Sequence, residues 1–424
     1  MSLSVTPAVA LRDRIADHFL PDAPPCLAVG VSGGSDSLAL LVLLSDWRDR
    51  GGPEISAVTV DHGLRPESAA EARQVSDVCA GLAVPHETLE WSGWDGRGNL
   101  PDKARRARYG LIAGWALSHG FADVALAHTA DDQAETVLMR LAREAGLDGL
   151  SAMAPRRHDA GVTWHRPALP VTREALRGVL RARGMTWADD PGNADPAYER
   201  VRARQALAEL APLGITAEGL SAVARHLRAA RVELGLQAEA AARSIVAVDQ
   251  GDLLIEGEGF AALSDELARR IVQAALMWIS GADYVPRGRA QMRLVDTLRA
   301  GRGMTLHGCL IGVGRGQIRM SREYRAVSGL RVPPDGIWDG RWRLSGPDAP
   351  GAEIKALGPE GLARCPGRHR TGLPAASMAA SPALWRGAEL LSAPLAGLNN
   401  GWSARLSRGG EDYFATLRGD WPPH

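Results

Sequence analysis

Over residues 26 to 145, short apolar runs sized for strands alternate four times with stretches that fit helices. The pattern predicts strands over 26–31, 55–60, 86–89 and 123–127. Helices are predicted over 38–47, 68–81, 101–119 and 131–145. Few folds accept that alternation. It calls for a parallel sheet with right-handed helical crossovers, and such sheets bind ligands at the carboxyl ends of their strands. The expected fold is α/β, with a doubly wound, Rossmann-like parallel sheet over residues 1–214.

Further along, a helix is expected over 172–183 and a loop over 189–193. Residues 217–248 are alanine-rich and periodic, and similar stretches continue over 263–279 and 290–300. They read as a helical middle domain spanning 215–325. After residue 306 short apolar segments broken by Gly and Pro (309–313, 336–344, 384–391) indicate a small β-rich α+β domain over 326–424. Three domains suit 424 residues at about 150 residues each. Tryptophan numbers 12 against 5 Tyr and 4 Phe, and Trp338, Trp342, Trp385, Trp402 and Trp421 crowd the terminal part. They are expected to pack a small core, with base stacking as the alternative.

Lys+Arg and Asp+Glu both count 49, so a uniformly basic nucleic-acid coat is excluded while local patches are not. The basic residues are almost all arginine, with only Lys103 and Lys355 as lysines. No Gly-Lys step occurs, which removes a Walker phosphate loop, and no G-x-G-x-x-G is present. Cys26, Cys79, Cys309 and Cys365 form no C-x-x-C pair, which argues against zinc ribbons and iron–sulfur sites. Residues 1–10 lack a basic leader, and the longest apolar run, 38–44, falls short of the about 20 residues that cross a bilayer. A cytoplasmic protein without a membrane partner is expected.

The candidate chemistry begins at Ser32-Gly33-Gly34-Ser35-Asp36-Ser37, between the first strand and its helix. Glycines admit an anion to the backbone, hydroxyls donate, and a helix N-terminus adds positive potential. Asp36 suits such a phosphate cradle if a cation intervenes, which points to Mg²⁺. The same residues also fit an ordinary turn whose Ser and Asp cap the helix. Asp132 and Glu135 lie three apart, hence on one helix face, and together suit an ammonium or Mg²⁺. Acids at a solvated helix N-terminus are the alternative. His62 ends the second strand as either a nucleotide contact or a turn residue. Two segments, 97–110 and 164–183, each carry four more basic than acidic residues, and Arg200, Arg202 and Arg204 alternate after Glu199. They suit nucleic-acid phosphate or a solvated helix face.

The loop after its strand resembles the S-G-G-x-D-S loop of the N-type ATP pyrophosphatases, the PP-loop superfamily. Further pieces follow in order: Val60-Asp-His-Gly-Leu-Arg-Pro-Glu-Ser68, Ala104-Arg-Arg-Ala-Arg-Tyr109, Ala127-His-Thr-Ala-Asp-Asp-Gln-Ala-Glu-Thr136, Gly146-Leu-Asp-Gly-Leu150, Arg166-Pro-Ala-Leu169 and Trp187-Ala-Asp-Asp-Pro-Gly-Asn193. Together, over residues 26–205, they resemble the tRNA(Ile)-lysidine synthetase family. The resemblance implies an ATP-dependent ligase acting on tRNA(Ile) with a CAU anticodon. In that family the C2 oxygen of the wobble cytidine is adenylated, and the ε-amine of L-lysine then displaces AMP to form lysidine.

By the same resemblance Ser32, Gly33, Gly34, Ser35, Asp36, Ser37 and His62 bind ATP, with Asp36 on Mg²⁺. Asp132 and Glu135 bind lysine. Asp36, Asp132 and Arg105 are the expected catalytic residues, and Arg108, Arg200, Arg202 and Arg204 the expected tRNA contacts. A homodimer is left open. Glu144 stands where the family has glycine, and Val201 where it has asparagine. The competing functions are a tRNA thiolase, disfavoured by the missing C-x-x-C, and a NAD- or GMP-type amidating synthetase, which leaves the basic segments unexplained. A further competitor is an RNA-binding protein whose nucleotide pocket is spent.

Overall fold

In a computed structural model of the chain, residues 7–63, 68–94, 98, 100–188, 197–282 and 284–418 are described. The expected loop over 189–193, Arg97, Trp421 and part of the 60–68 motif lie outside them. The described chain separates into two compact units, Met1–Arg231 and Val232–His424.

The first unit contains α1 (Pro7–Asp17), β1 (Cys26–Gly30), α2 (Ser35–Arg48), β2 (Glu54–Asp61), α3 (Ser68–Gly81), β3 (His86–Glu90), α4 (Leu100–Ser118), β4 (Asp123–Ala125) and α5 (Ala130–Leu141). It continues with α6 (Leu147–Leu150), β5 (Arg156–Asp159), β6 (Val162–His165), α7 (Arg173–Ala182) and α8 (Glu199–Leu210). The sheet order is β3-β2-β1-β4-β6-β5, parallel except for the β5–β6 edge pair. The antiparallel edge was not foreseen: 156–165 is a hairpin turning at Ala160 and Gly161 (φ 52° and 82°), whose first strand, Arg156–Asp159, is wholly polar and whose second, Val162–His165, is only four residues long.

Alternation along β1 explains why both faces are covered. Leu27 and Val29 join one core with α1, α2, α3 and α7, whereas Ala28 joins the other core with α4. Residues 38–44 of α2 are all 0% exposed. Seven such side chains, at about 1.5–3 kcal/mol for each large one, anchor α2 against the sheet. Helix α5 stops earlier than predicted: Ala142 caps it, and two residues on Glu144 takes φ 54°. Left-handed backbone favours glycine and costs another residue about 1–2 kcal/mol.

A buried polar relay lies beside this core. His165 Nε2 donates to Asp123 Oδ1 at 2.7 Å, which leaves its Nδ1 to accept from His18 Nε2 at 3.1 Å. Burial, then His165 and Arg156, push His18 down to about 4. The unfolded chain therefore takes up a proton below pH 6.5 that the folded chain refuses until about pH 4. The associated stability is complete above pH 6.5 and is progressively lost as the pH falls toward 4. Thermal midpoints at pH 7.5 and 5 should fall less for His18→Gln than for the wild type. Equal falls would contradict the relay's role.

In the second unit the predicted helices appear as the end of α9 (Ala217–Ile245), α11 (Asp265–Ser280) and α12 (Gly288–Arg299), with α10 (Gly257–Ala262) between. The middle region is not helical throughout, however. It contains β7 (Val246–Asp249) and β8 (Asp252–Glu256), joined by Gln250 and Gly251 at φ 49° and 92°. Two positive φ values in a two-residue loop are the type I′ turn that closes hairpins. With β9 (Met304–Leu306), β10 (Cys309–Gly314) and β11 (Gln317–Arg322) they form a five-stranded sheet ordered β7-β8-β11-β10-β9. Its core includes Leu253, Ile255, Ile271, Leu294, Ile311 and Tyr413.

A second core within this unit holds Trp338, Trp342 and Trp385, with Trp402 packed against it, between small antiparallel sheets. Trp338, Trp342, Trp385 and Trp402 thus pack the core, as expected. Among the described residues no single helix is long and apolar enough to cross a membrane.

Candidate active site

Strand order reverses about β1: β2 and β3 add on one side, β4 and β6 on the other. In doubly wound sheets ligands occupy the crevice at that switch point. Here the two segments leaving it are the 32–37 loop after β1 and the segment that starts α5 after β4. Between them opens a cleft of about 550 Å³, lined among others by Ser32, Gly34, Asp36, Ser37, His62, Arg108, His128, Asp132 and Arg200.

The loop is fixed from within. Gly33 takes φ 82°, a conformation glycine adopts without penalty. Ser37 Oγ accepts from the Ser32 amide at 3.1 Å and donates to the Gly34 carbonyl at 3.0 Å, with Ser32 Oγ 3.2 Å away. Gly34 caps α2 without a side-chain hydrogen bond. The first-turn amides and the helix potential are thus offered to an anion in the cleft. Ser35 Oγ donates to Asp36 Oδ1 at 3.2 Å and accepts from Arg177 Nε at 3.3 Å. Burial raises the Asp36 carboxyl, and Arg173 opposes that rise.

Helix α5 enters through a capping box. Asp132 Oδ2 accepts from the Thr129 amide and hydroxyl at 2.8 and 2.9 Å, and the Asp132 amide donates to Thr129 Oγ1 at 3.4 Å. One turn on, Glu135 is 1% exposed. Its Oε1 accepts from Arg204 Nε at 3.0 Å, and its Oε2 is buried without a partner. Burial, and then Asp132, raise the Glu135 carboxyl. Burial favours neutral Asp132, but the Asp132 carboxyl lies below its usual value, with Arg173 and the Thr129 amide favouring the carboxylate. The two acids share a helix face, and both meet Arg173: Nη2 donates to Asp132 Oδ1 at 3.3 Å, and Nη1 lies 3.6 Å from Glu135 Oε1.

The remaining wall is cationic and imidazole-rich. His62 packs edge-on against Trp91, and its Nδ1 is buried without a partner. Burial and Arg108 lower its pKa. His128 is pushed down to about 3 by burial and by Arg166, which keeps it neutral, and its Nδ1 is likewise unpartnered. Tyr109 packs at a tilt of 59° against Trp164 (ring centroids 4.6 Å apart), with Arg105 and Arg108 over its own ring at 5.3 and 5.8 Å.

The PP-loop domain profile matches residues 7–211. A tRNA(Ile)-lysidine synthase of Ruegeria pomeroyi is 52% identical over 96% of this chain and 97% of its own. This chain belongs to the tRNA(Ile)-lysidine synthase family. Two further relatives of that name, from Bradyrhizobium sp. and Rhodopseudomonas palustris, are 40% and 42% identical over 70% and 60% of this chain, and over 89% and 75% of their own. The PP-loop domain makes this lysidine synthase family member an ATP-binding enzyme.

Against that background the structure gathers Ser32, Gly34, Asp36, Ser37, His62, Arg108, Asp132 and Arg200 around one cleft, with Gly33 and Ser35 completing its loop. Glu135 is adjoined through Arg173. Arg105 lies over Tyr109, off the cleft lining. Arg202 is exposed and donates to the Ala197 carbonyl at 2.9 Å, whereas Arg204 turns inward to Glu135.

The basic stretch over 164–183 is not one surface in this family member. Arg166 is 4% exposed and Arg181 pairs with Glu174 at 2.6 Å. Arg173 reaches the acids of the cleft. Arg173 is the site residue that sequence reasoning missed, because only the docking of α7 beside α2 and α5 separates it from its surface-like neighbours. Its one local signal is position: Thr172 caps α7, accepting from the Ala175 amide at 3.3 Å, which fixes where the next side chain departs.

Proposed function

We propose that this chain ligates lysine to the wobble cytidine of the CAU anticodon of tRNA(Ile) at the expense of ATP. The carrying observation is that an uncapped helix start bearing the 32–37 loop faces the same cleft as Asp132 at the sheet's switch point, with the buried Glu135 carboxylate one turn on and joined to Asp132 through Arg173. The helix start suits the triphosphate, with the loop amides and hydroxyls on its leaving pyrophosphate. The two acids suit a lysine ammonium. Attack of the cytidine O2 on the α-phosphorus releases pyrophosphate. Attack of the lysine ε-nitrogen on C2 then releases AMP with that oxygen, and the amine gives up its protons.

His62 faces the nucleotide. Arg108, with Arg105 behind it, supplies positive charge near the reacting phosphate. Arg200 and Arg202, exposed after Tyr198, suit tRNA phosphate, where local arginines position a polynucleotide without reading its bases. Arg204, tied to Glu135, is better suited to shaping the lysine pocket than to open contact with tRNA.

Among the described residues no three metal-ligating side chains converge. Mg²⁺ commonly sits on nucleotide phosphates with one or two carboxylates and water, and that is the donor set available here. Asp36 fits: it lines the cleft, and its buried carboxylate is the kind a cation stabilises. When bound, the ion supplies charge neutralisation at the phosphates.

Thiolation finds no support in the cysteines. Cys79, Cys309 and Cys365 are buried, Cys26 starts β1 at the end away from the cleft, and none lines it. Burial pushes the Cys79 thiol up to about 11, away from a nucleophile's range. The reading is tested by AMP release from Mg-ATP in the presence of isoleucine tRNA with a CAU anticodon. Lysine should stimulate it and ammonium should not, and stimulation by ammonium alone would overturn it.

A further inference from the structure

Arg173 opens α7 with its amide donating to Asp131 Oδ2 at 2.8 Å, so its main chain is pinned to the start of α5. Its side chain reaches two neighbourhoods at once. Nε donates to Asp36 Oδ2 at 2.9 Å in the phosphate loop, while Nη2 and Nη1 lie 3.3 and 3.6 Å from Asp132 Oδ1 and Glu135 Oε1 on α5. The Arg173 side chain is 16% exposed and those of its acids 20%, 13% and 1%. Such pairs are screened little by solvent, so an acid that the guanidinium leaves is favoured to take another cation.

We propose that Arg173 is a positioning residue shared by the nucleotide and lysine sites, which makes the affinity of each substrate depend on the other. This rests on the assignment of Asp132 and Glu135 to lysine made above. An incoming ammonium competes with the guanidinium for carboxylate lone pairs on α5. The phosphates of a nucleotide at the 32–37 loop carry more negative charge than a single carboxylate and likewise offer a guanidinium a bidentate partner, so they compete for it. A nucleotide at the loop therefore draws Arg173 toward Asp36 and releases Asp132 and Glu135 to the ammonium. Glu135 Oε2, buried without a donor, already offers a place for one. Coupling is reciprocal, so lysine tightens nucleotide binding by the same factor.

The decisive experiment measures equilibrium binding of labelled lysine to the full chain, with and without Mg²⁺ and the non-hydrolysable α,β-methylene analogue of ATP. Wild type should bind lysine about five-fold or more tightly with the nucleotide, the lower end of usual coupling. In Arg173→Gln, lysine should bind without nucleotide at least as tightly as in wild type, and the enhancement should fall to about two-fold or less. Arg173→Lys keeps the charge but, as a point donor, cannot span three acids, so its enhancement should fall as well. It carries the test if the glutamine variant fails to fold.

A variant that retains the full enhancement overturns the proposal. So does an Arg173→Gln protein that loses lysine binding with nucleotide present, because Arg173 would then hold lysine and not compete with it. If wild type binds no lysine under any condition, the lysine assignment itself fails. That outcome is distinct from bound lysine without coupling.

Discussion

Asp132→Asn should weaken lysine binding on the order of 30- to 5,000-fold, the consequence of removing one partner from a buried, hydrogen-bonded charge pair (about 2–5 kcal/mol). The substitution is close to isosteric. An asparagine Oδ1 can still accept from the Thr129 amide and hydroxyl, which now hold Asp132 Oδ2 at 2.8 and 2.9 Å, so the capping box survives. What changes is the other oxygen, which faces Arg173 at 3.3 Å. Its replacement by an amide NH₂ removes an acceptor and sets a donor against the guanidinium and against any ammonium. Nucleotide binding at the 32–37 loop loses no direct contact. The measurement is the lysine KM or Kd, with the ATP KM and the thermal midpoint as controls. An unchanged lysine affinity would remove Asp132 from the lysine site.

The second large effect is expected at Asp36. Asp36→Asn should lower kcat/KM for ATP by about 10²–10³, the scale seen when one pre-organised electrostatic contact to a reacting group is lost. Stability should hardly move. The first-turn acid of α2 contributes about 0.3–1 kcal/mol through the helix dipole, and the asparagine oxygen can still accept from Ser35 Oγ or Arg173 Nε. AMP formation at the wild-type rate would mean that the 32–37 loop is a capping turn and not a phosphate site. Because Asp36 and Asp132 share Arg173, the two substitutions touch one network, and the double variant is expected to depart from additivity.

The N-terminal sheet was legible because β1, β2 and β4 are short apolar runs set between helical periods, and the phosphate loop because glycines and hydroxyls occupy a βα turn. The face shared by Asp132 and Glu135 followed from helix geometry alone. Three features were not legible for physical reasons. The β7–β8 hairpin is short and sits in helix-like alanine-rich surroundings, with Gln250-Gly251 as its sole turn signal. The edge strand β5 consists of charged and polar residues that an edge tolerates and a propensity count passes over, and β6 is only four residues long.

Most consequentially, Arg173, Arg181 and Arg204 look alike in sequence, yet one bridges three acids, one pairs with Glu174 on an exposed helix face and one seals Glu135. Charge counting cannot separate them, because long-range packing decides which guanidinium meets which carboxylate. The departures at Glu144 and Val201 also read differently in three dimensions. Glu144 carries the left-handed φ that favours glycine, while Val201 is a buried packing residue on α8.

The most direct test of the proposed function is transfer of labelled lysine to tRNA(Ile) transcript bearing CAU in the presence of Mg-ATP, with methionine tRNA and omission of ATP as controls. The predicted result is label in the isoleucine tRNA alone, in step with AMP and pyrophosphate. Absence of label, with ATP cleavage instead supported by ammonia or a sulfur donor, would contradict it.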